Sequence, residues 1–429
     1  MEESINKSLS VRSQAVVWHP FTQMQLGPAP IGVVKGDGMY LIDEYGNRYM
    51  DVISSWWTCL HGHSHPYITE KITEQAASLE HVIFAGFTHE PAVRLAERLI
   101  NYLPDNQSRI FYSDNGSTAV EVGLKMAFQY WQNIGKKKTK VIAFKDSYHG
   151  DTFGAMSVGS RSAFTEPFFP FLFDVEFIES PAKDEELCRK QLSDLVSRED
   201  VAAMIYEPLV QGAGGMLMYS EKVLDKLLEI CKEHNVLCIA DEVMTGFCRT
   251  GQMFASNYCE VKPDIICLSK GLSGGVMAMG ATSCSAEIYD AFLSDHFMSK
   301  TFFHGHSFTA NPISCAAANA SLDLLESHEV QDRIREIHNN HNTYALGLVN
   351  NPKVENVRVK GTLLALDVKS DVITGYGNAV RDEINTFFLE KGILLRPLGN
   401  TIYLLPPYCI SENQLQQVYQ TINEYLLLK

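Results

Sequence analysis

Two residues near the middle of the chain could together carry amine chemistry. Lys270 follows an apolar run at 265–268, and Asp241 follows a second apolar run at 236–240. Each run has the length and composition of a buried strand, so an amine and a carboxylate stand at two strand ends. Such a pair suits pyridoxal phosphate, which needs an amine to form a Schiff base and a carboxylate to keep its ring nitrogen protonated. Strand-end lysines and aspartates are common, so neither residue is informative alone.

Two further polar motifs follow predicted strands. Gly116 and Ser117 open a helix, where backbone N–H groups and the helix dipole can bind an anion. An ordinary N-cap with Glu121 as its capping-box partner is the alternative. Tyr148 and Asp151 follow the next strand, where an aromatic ring can stack on a pyridine and a carboxylate can bind a substrate amine. A plain surface turn would explain that second motif equally well.

Outside these motifs, three places offer groups for substrate recognition. Trp56 and Trp57 could form an apolar wall for a substrate chain, or they could pack between two parts of the fold. Arg396 offers two-pronged carboxylate recognition, although an exposed turn arginine is the default interpretation. Glu207 precedes a glycine-rich loop that lacks the G-x-G-x-x-G fingerprint, and it could orient the aspartate or screen a cation.

Histidine clusters raise the question of a metal. His61, His63 and His65 alternate in one loop, and His304 and His306 alternate in another. No carboxylate or cysteine stands beside them at ligand spacing, and histidines in Gly/Ser loops are often only polar loop residues. We therefore expect no metal site.

The sequence pattern around these groups predicts an α/β domain. Between residues 110 and 285, short apolar runs alternate with helical patterns such as 117–132 and 221–234. Continuous apolar strands are typical of a mostly parallel sheet covered by helices on both faces. In such three-layer domains ligands bind beyond the carboxyl ends of the strands, which is where the polar motifs fall.

The two ends of the chain predict a smaller α+β region. Its predicted elements are helices at 332–348, at 379–391 and from 412, a strand at 361–368, and a hairpin at 392–408. A hairpin at 38–49, with its turn at 43–47, is expected to pack against this region. The expected division is an N-terminal segment at 1–55, a large cofactor-binding domain at 56–325 and a small domain at 326–429.

Composition narrows the class of protein. The 429 residues are 45% hydrophobic and 20% charged, as in ordinary globular proteins. A net charge of −15 argues against a nucleic-acid or membrane-surface partner, and no apolar stretch approaches the roughly 20 residues that span a bilayer. The N-terminus has no basic start followed by an apolar segment, and ten scattered cysteines form no C-x-x-C pair. We expect free thiols and a cytoplasmic location.

Several motifs, in order along residues 19–408, resemble the class III aminotransferases of fold type I. The general signatures are Ile239-Ala240-Asp241-Glu242-Val243, Gly246-Phe247-Cys248-Arg249-Thr250-Gly251 and Ser269-Lys270-Gly271. Features similar to the biotin-pathway branch are Trp56-Trp57, the segment 148–157, the loop 210–216 and Arg396-Pro397. Independent motifs in one order make a chance match implausible.

The resemblance implies a pyridoxal-phosphate aminotransferase of biotin biosynthesis. Its ping-pong reaction moves an amino group from S-adenosylmethionine to 8-amino-7-oxononanoate through pyridoxamine phosphate and gives 7,8-diaminopelargonate. The resemblance implies that Lys270 holds the cofactor and moves a proton, that Asp241 keeps the ring charged, and that Tyr148 covers the ring face. Gly116 and Ser117, joined by Ser307, would bind the phosphate.

Substrate contacts and assembly are also implied by the resemblance. Arg396 would grip the substrate carboxylate and Asp151 an amine, while Trp56 and Trp57 would hold the carbon chain, with Phe21 near the substrate. The loop that contains Gly305 and Ser307 reaches across from the partner subunit in this family, which implies an obligate homodimer with shared sites.

Three departures from the family pattern leave the amino donor open. Phe21 stands where many relatives have tyrosine, Cys248 replaces a commoner glycine, and His306-Ser307 replaces a frequent Pro-Thr pair. The alternatives are the same reaction with lysine as donor, an ω-amino-acid:pyruvate aminotransferase, an aminomutase, and a non-catalytic cofactor-binding regulator. The intact lysine, aspartate and phosphate loop argue against the last of these.

Overall fold

A seven-stranded sheet forms the centre of the protein in the computed structural model, which describes residues 7–162, 164–370 and 379–429. In sheet order its strands are Gln107–Ser113, Gly280–Ser285, Ile265–Leu268, Leu237–Asp241, Val201–Tyr206, Lys140–Phe144 and Val175–Ile178. The strand Gly280–Ser285 runs antiparallel to both of its neighbours, and the other strands run parallel to one another. The predicted mostly parallel sheet is confirmed, and the edge strand Val175–Ile178 is an addition to it.

Both faces of this sheet are covered. Every residue of Val201–Tyr206 is buried, and alternate residues enter different hydrophobic clusters, Ile205 in one and Met204 and Tyr206 in the other. Side chains of a strand alternate between faces, so a strand buried on both sides must be apolar throughout. The α-helices of this region are Pro66–Ser78, Glu90–Tyr102, Gly116–Asn133, Phe153–Val158, Glu185–Val196, Glu221–Glu233, Ala286–Asp290 and Pro312–Leu325. Short 3-10 helices span Glu166–Phe171, Ala255–Tyr258 and Lys270–Ser273.

The chain ends meet in two small sheets. One contains Val33–Asp37, Tyr40–Asp43, Arg48–Asp51 and Ile393–Leu394, and the other contains Val354–Lys360, Leu363–Val368 and Thr401–Leu404. The helices here are Leu9–Val16, His328–Leu348, Ala379–Glu390 and Glu412–Leu427, and a two-stranded ribbon pairs Val210–Gln211 with Leu217–Met218. The N-terminal hairpin is confirmed, and its turn is held because the Asp43 carboxylate accepts the N–H groups of Tyr45 and Asn47 at 2.9 and 2.8 Å.

The predicted hairpin at 392–408 is wrong. Ile393–Leu394 pairs in parallel with the strand Arg48–Asp51, whereas Thr401–Leu404 pairs with Leu363–Val368 in the other sheet. Only a single bridge between Leu398 and Thr401 remains of the local turn. Each strand completes a larger sheet, so long-range pairing replaces the local pairing that the sequence pattern suggested.

Two composition-based expectations can be compared with the fold. Within the described ranges, no helix is both long and apolar enough to cross a membrane. Cys238 and Cys267 are buried free thiols, as predicted.

Candidate active site

One cavity of about 1220 Å³ lies beyond the carboxyl ends of the central strands. It gathers every predicted site residue except Gly305 and Ser307. The gathered residues are Phe21, Trp56, Trp57, Gly116, Ser117, Tyr148, Asp151, Asp241, Lys270 and Arg396. Residues from both ends of the chain and from its middle therefore share one solvent-accessible space.

Asp241 is the last residue of its strand, and its carboxylate is held at both oxygens. Oδ1 accepts the N–H of Val243 at 3.0 Å, and Oδ2 accepts from Nδ1 of the buried His149 at 2.7 Å. The hydrogen bond assigns the hydrogen of His149 to Nδ1, because an ionised carboxylate can only accept. Sequence analysis gave His149 no role; its position beside Tyr148 at a strand exit was the available signal.

Lys270 stands two residues beyond the strand Ile265–Leu268, in a positive-φ conformation (38°). Its Nζ lies 4.7 Å from the ring centre of Trp57. Burial lowers the pKa of the Lys270 amine, and the negative charges of Asp241 and Glu207 offset only part of that effect. A lowered pKa increases the fraction of neutral amine, which is the form that attacks carbonyls and takes up protons.

Glu207 connects two loops at the base of the cavity. Its carboxylate accepts the N–H of Tyr148 at 3.1 Å and the N–H of Gly212 at 2.8 Å. Burial, followed by the negative charge of Asp241, raises the pKa of Glu207 to about 7 despite the opposing effect of His149. Glu207 therefore positions the backbone that carries Tyr148, and the predicted roles of orienting Asp241 or screening a cation stay predictions.

The helix N-terminus in the cavity is capped by Asn115, which forms a reciprocal capping box with Thr118. The alternative that Ser117 or Thr118 is the cap, with Glu121 as its capping-box partner, is therefore wrong in its residues, because Asn115 is the cap and Thr118 is the partner at N3. The Ser117 hydroxyl accepts the N–H of Thr152 at 3.0 Å and so faces the loop that carries Asp151. Unbonded N–H groups at such a terminus and a nearby hydroxyl are the groups that bind phosphate.

The turn that presents the two tryptophans is strained. Ser54, Ser55 and Trp57 all have positive φ angles, of 53°, 59° and 67°. Non-glycine residues in such conformations cost on the order of 1–3 kcal/mol each and persist only where surrounding contacts impose them. Here the fully buried Asp51 accepts the N–H of Ser55 at 2.6 Å and its hydroxyl at 3.1 Å, and it pairs with Nε2 of His63 at 2.9 Å.

The strained turn positions the rings of Trp56 and Trp57, which together form the aromatic wall of the cavity. Trp57 is buried and donates from Nε1 to the hydroxyl of Tyr403 at 2.9 Å. Trp56 is partly exposed, with the guanidinium of Arg396 lying 4.8 Å from its ring centre and the ring of Phe21 at 5.4 Å. The cavity therefore has an apolar side that ends at a cation, which suits a carbon chain terminated by a carboxylate.

We predict a pH-dependent contribution of His63 to stability. Burial lowers the pKa of His63, but the hydrogen bonds and charges of Asp51 and Cys59 together outweigh it and raise the pKa to about 9. The unfolded value is 6.5, so the stabilisation is complete below about pH 6.5 and is lost as the pH rises through about 9. In urea denaturation, the gap in unfolding free energy between wild type and His63→Gln should shrink by roughly 3 kcal/mol from pH 6.5 to 9.

The control for this prediction is His234→Gln. His234 is exposed and bonds only a carbonyl of its own helix in the described structure, at 3.0 Å. The change of the His63→Gln gap with pH should exceed the change of the His234→Gln gap over the same range. A His63→Gln gap that does not change with pH would contradict the prediction.

The loop with Gly305 and Ser307 lies outside the cavity, and both residues are exposed. Next to them, Nδ1 of His306 lies 3.0 Å from a carboxylate oxygen of Asp114, Nε2 of His306 is hydrogen-bonded to His304 at 3.0 Å, and His304 is hydrogen-bonded to Lys125 at 2.8 Å. Among the described residues, no group of three or more His, Cys, Asp or Glu side chains is arranged to hold a metal ion. A contribution of this loop to a partner's site stays a prediction.

Comparison with known proteins agrees with this geometry. A family model described as aminotransferase class III matches residues 22–426. The chain is 48% identical over 422 residues to the adenosylmethionine-8-amino-7-oxononanoate aminotransferase of Synechococcus elongatus, covering 96% of this chain and 98% of that protein. The chain belongs to the class III aminotransferase family. The family resemblance of the sequence is therefore confirmed. Members of this family are enzymes that use pyridoxal phosphate.

Two solved transaminase structures share the fold over almost the whole chain. The adenosylmethionine-8-amino-7-oxononanoate aminotransferase of Methanocaldococcus jannaschii superposes with a TM-score of 0.91 at 37% identity, covering 97% of this chain and 98% of that chain. A PLP-bound amine transaminase from an uncultivated Pseudomonas species gives a TM-score of 0.89 at 30% identity, covering 95% and 97%. The fold is therefore that of fold type I transaminases.

The cavity of this aminotransferase fits the family's cofactor. A strand-end carboxylate held by His149, an amine of lowered pKa at Lys270 and a helix N-terminus at Gly116 lie around one space. Close backbone approach is built in at Gly116, where an added Cβ would lie 2.7 Å from a methyl group of Val243. The carboxylate would match the ring nitrogen of pyridoxal phosphate, Lys270 its aldehyde carbon and the helix N-terminus its phosphate.

Proposed function

We propose that this aminotransferase moves an amino group from S-adenosylmethionine to the ketone of 8-amino-7-oxononanoate in biotin biosynthesis. The observation that carries the proposal is one cavity in which Lys270 and Asp241 lie beside the aromatic wall of Trp56 and Trp57, with Arg396 at its end. The names of the relatives from Synechococcus and Methanocaldococcus support the same reaction. The enzyme would work in two half-reactions, releasing one product before it binds the second substrate.

The chain's own residues divide the proton and charge chemistry. Pyridoxal phosphate, when bound, supplies an electron sink for the carbon atom that loses a proton. The Nζ atom of Lys270 takes that proton from the donor's carbon in the first half-reaction and delivers a proton to the acceptor's carbon in the second. The lowered pKa of Lys270 favours this role. The carboxylate of Asp241 holds a proton at the ring nitrogen, and His149 keeps the carboxylate in place.

Cofactor binding would use three further groups in the cavity. The N-terminal N–H groups at Gly116 and Ser117, together with the partner subunit's Ser307, bind the phosphate. Tyr148 covers one ring face, and burial and then Asp151, through its charge and a hydrogen bond, raise the pKa of the Tyr148 hydroxyl, which therefore stays protonated.

Substrate recognition would use the far end of the cavity. Arg396 binds the carboxylate of the keto acid, the chain lies along Trp56 and Trp57 near Phe21, and Asp151 binds the amine. At about 1220 Å³ the cavity exceeds the ~300–1,000 Å³ of common ligand sites, and it admits a donor as large as S-adenosylmethionine.

We also infer a cytoplasmic homodimer that binds neither nucleic acid nor membranes. Large apolar side chains are exposed beside Gly305 and Ser307, and contiguous exposure of this kind marks an interface between chains. These side chains are Phe297, Met298, Phe303 and Phe308, which are 57–78% exposed. Gly305 and Ser307 would then complete the site of the opposite subunit. The net charge of −15 supports the absence of nucleic-acid and membrane partners, and the free cysteines support a cytoplasmic location.

The test is the visible absorbance of the purified holoenzyme. S-adenosylmethionine should remove the visible cofactor band, and 8-amino-7-oxononanoate should restore it. Bleaching by lysine but not by S-adenosylmethionine would keep the reaction and change the donor. Restoration by pyruvate but not by 8-amino-7-oxononanoate would replace the proposed function with that of an ω-amino-acid:pyruvate aminotransferase.

A further inference from the structure

A buried carboxylate outside the cavity accepts hydrogen bonds from the turn that carries Trp56 and Trp57. Asp51 ends the strand Arg48–Asp51, is fully buried and does not line the cavity. Its oxygens accept four hydrogen bonds, from the N–H of Ile53 at 3.1 Å, from the N–H and hydroxyl of Ser55 at 2.6 and 3.1 Å, and from His63 at 2.9 Å. This network therefore lies directly beneath the turn Ser54–Trp57.

Ser55 has the least favourable backbone of that turn. Its φ and ψ of 59° and −86° are close to the rare and strained γ-turn, a conformation that glycine adopts far more readily than serine. The shortest bond to Asp51, at 2.6 Å, comes from the N–H of this same residue. The contact that opposes the strain is therefore the Asp51 carboxylate.

His63 fixes the carboxylate from the opposite side. The Gly38 and His63 backbones exchange two hydrogen bonds, of 3.1 and 2.8 Å, so the imidazole stands on a paired segment. The groups that face it are Asp51 at 2.9 Å and the thiol of Cys59 at 4.0 Å. His63 thus orients one Asp51 oxygen toward Ser55, in the way that an outer partner orients a ligand-binding group.

We propose that Asp51, oriented by His63, is a positioning residue for substrate binding: it holds Ser55 in its strained conformation so that Trp57 lies over the Lys270 amine and Trp56 lies over Arg396. The inference rests on the proposed function, because it assigns the aromatic wall to the substrate chain. Asp51 itself touches neither substrate nor cofactor. Its loss should therefore weaken binding more than it slows the chemical step.

The experiment compares Asp51→Asn with wild type in steady-state kinetics. Asparagine keeps the size of the side chain but has no charge, and its single oxygen cannot serve both the N–H of Ile53 and the donors of Ser55 and His63, which bind different oxygens of Asp51. We expect the KM for 8-amino-7-oxononanoate to rise about tenfold, with kcat changed less than about threefold and the visible cofactor band retained. A merely structural role would lower kcat and cofactor content and leave KM unchanged.

Asp43→Asn is the matched control. Asp43 is a buried carboxylate of the same small sheet and likewise accepts four hydrogen bonds, from Tyr45, twice from Asn47 and from Tyr49. It holds a turn that does not line the cavity, so its variant should keep the wild-type KM. An equal rise in KM in both variants, or no rise in Asp51→Asn, would overturn the inference.

Second-site rescue tests the role of strain directly. Glycine tolerates the conformation of Ser55, so Ser55→Gly added to Asp51→Asn should bring KM back toward the wild-type value; unchanged KM would overturn the inference. If Asp51→Asn does not fold, His63→Gln gives the same test, with an expected KM rise of about threefold. If wild type does not turn over the keto acid, the proposed function fails, and the KM of whichever amine bleaches the cofactor then decides the role of Asp51.

Discussion

Replacing Lys270 by alanine is expected to reduce transamination by about 10⁴-fold while the fold and cofactor content are retained. Lys270 provides the amine whose pKa burial has lowered, and it lies in the same cavity as Asp241 and the aromatic wall. The methyl group of alanine can neither hold the cofactor covalently nor move a proton. Borohydride treatment followed by mass spectrometry should therefore fix the cofactor to wild type and leave this variant unlabelled.

Lys232→Ala is the control for the lysine substitution. Lys232 is a partly buried lysine of the same domain that pairs with Asp264 outside the cavity. Its variant should keep both turnover and borohydride labelling. Turnover retained by Lys270→Ala would refute the assignment of Lys270.

The central site could be predicted from sequence because it follows from the sheet. Asp241 ends an apolar strand, Lys270 and Tyr148 follow two others, and parallel strands bring their carboxyl ends to one edge. Local spacing therefore determines that these groups meet, even without knowledge of strand order. Neither the antiparallel direction of Gly280–Ser285 nor the edge strand Val175–Ile178 was needed for that conclusion.

The residues of the aromatic wall could be predicted from the sequence, but the backbone conformation that positions them could not. Two adjacent tryptophans indicated a possible wall, yet nothing local indicates positive φ at Ser54 and Ser55, since serine seldom adopts it. The conformation depends on Asp51 and its partner His63, and the strand that ends at Asp51 pairs with Ile393–Leu394, more than 300 residues away in the chain. Tertiary contacts of that range leave no periodic signal in the sequence.

His149 shows a different limit. Its motif was recognised, but its role depends on which atom its ring meets, and that atom belongs to a strand that is not its sequence neighbour. Cys248 is a similar case: its φ of 69° lies in the region that favours glycine, the residue that the family resemblance implies there, and the sequence alone does not show this backbone angle.

Asp241→Asn should produce the other large loss, lowering kcat by roughly 10²–10³-fold while cofactor binding persists. Asparagine cannot hold a proton at the ring nitrogen by charge, and it has one acceptor oxygen for the two donors, Val243 N–H and His149 Nδ1, that Asp241 now binds. The measurement is the rate at which S-adenosylmethionine bleaches the visible band in a single turnover. An unchanged single-turnover rate would mean that the ring does not face Asp241.

His149→Asn separates the charge of Asp241 from its orientation. The carboxylate remains, but it loses its 2.7 Å donor, so we expect an intermediate loss of roughly tenfold in the same single-turnover rate. His341→Asn is the matched control, because His341 is an equally buried histidine whose two ring nitrogens bond Tyr419 and Thr362 in the C-terminal region. It should lower stability without changing the rate. Equal rates for the two histidine variants would show that Asp241 needs no positioning partner, and that Val243 N–H alone is sufficient to aim its carboxylate.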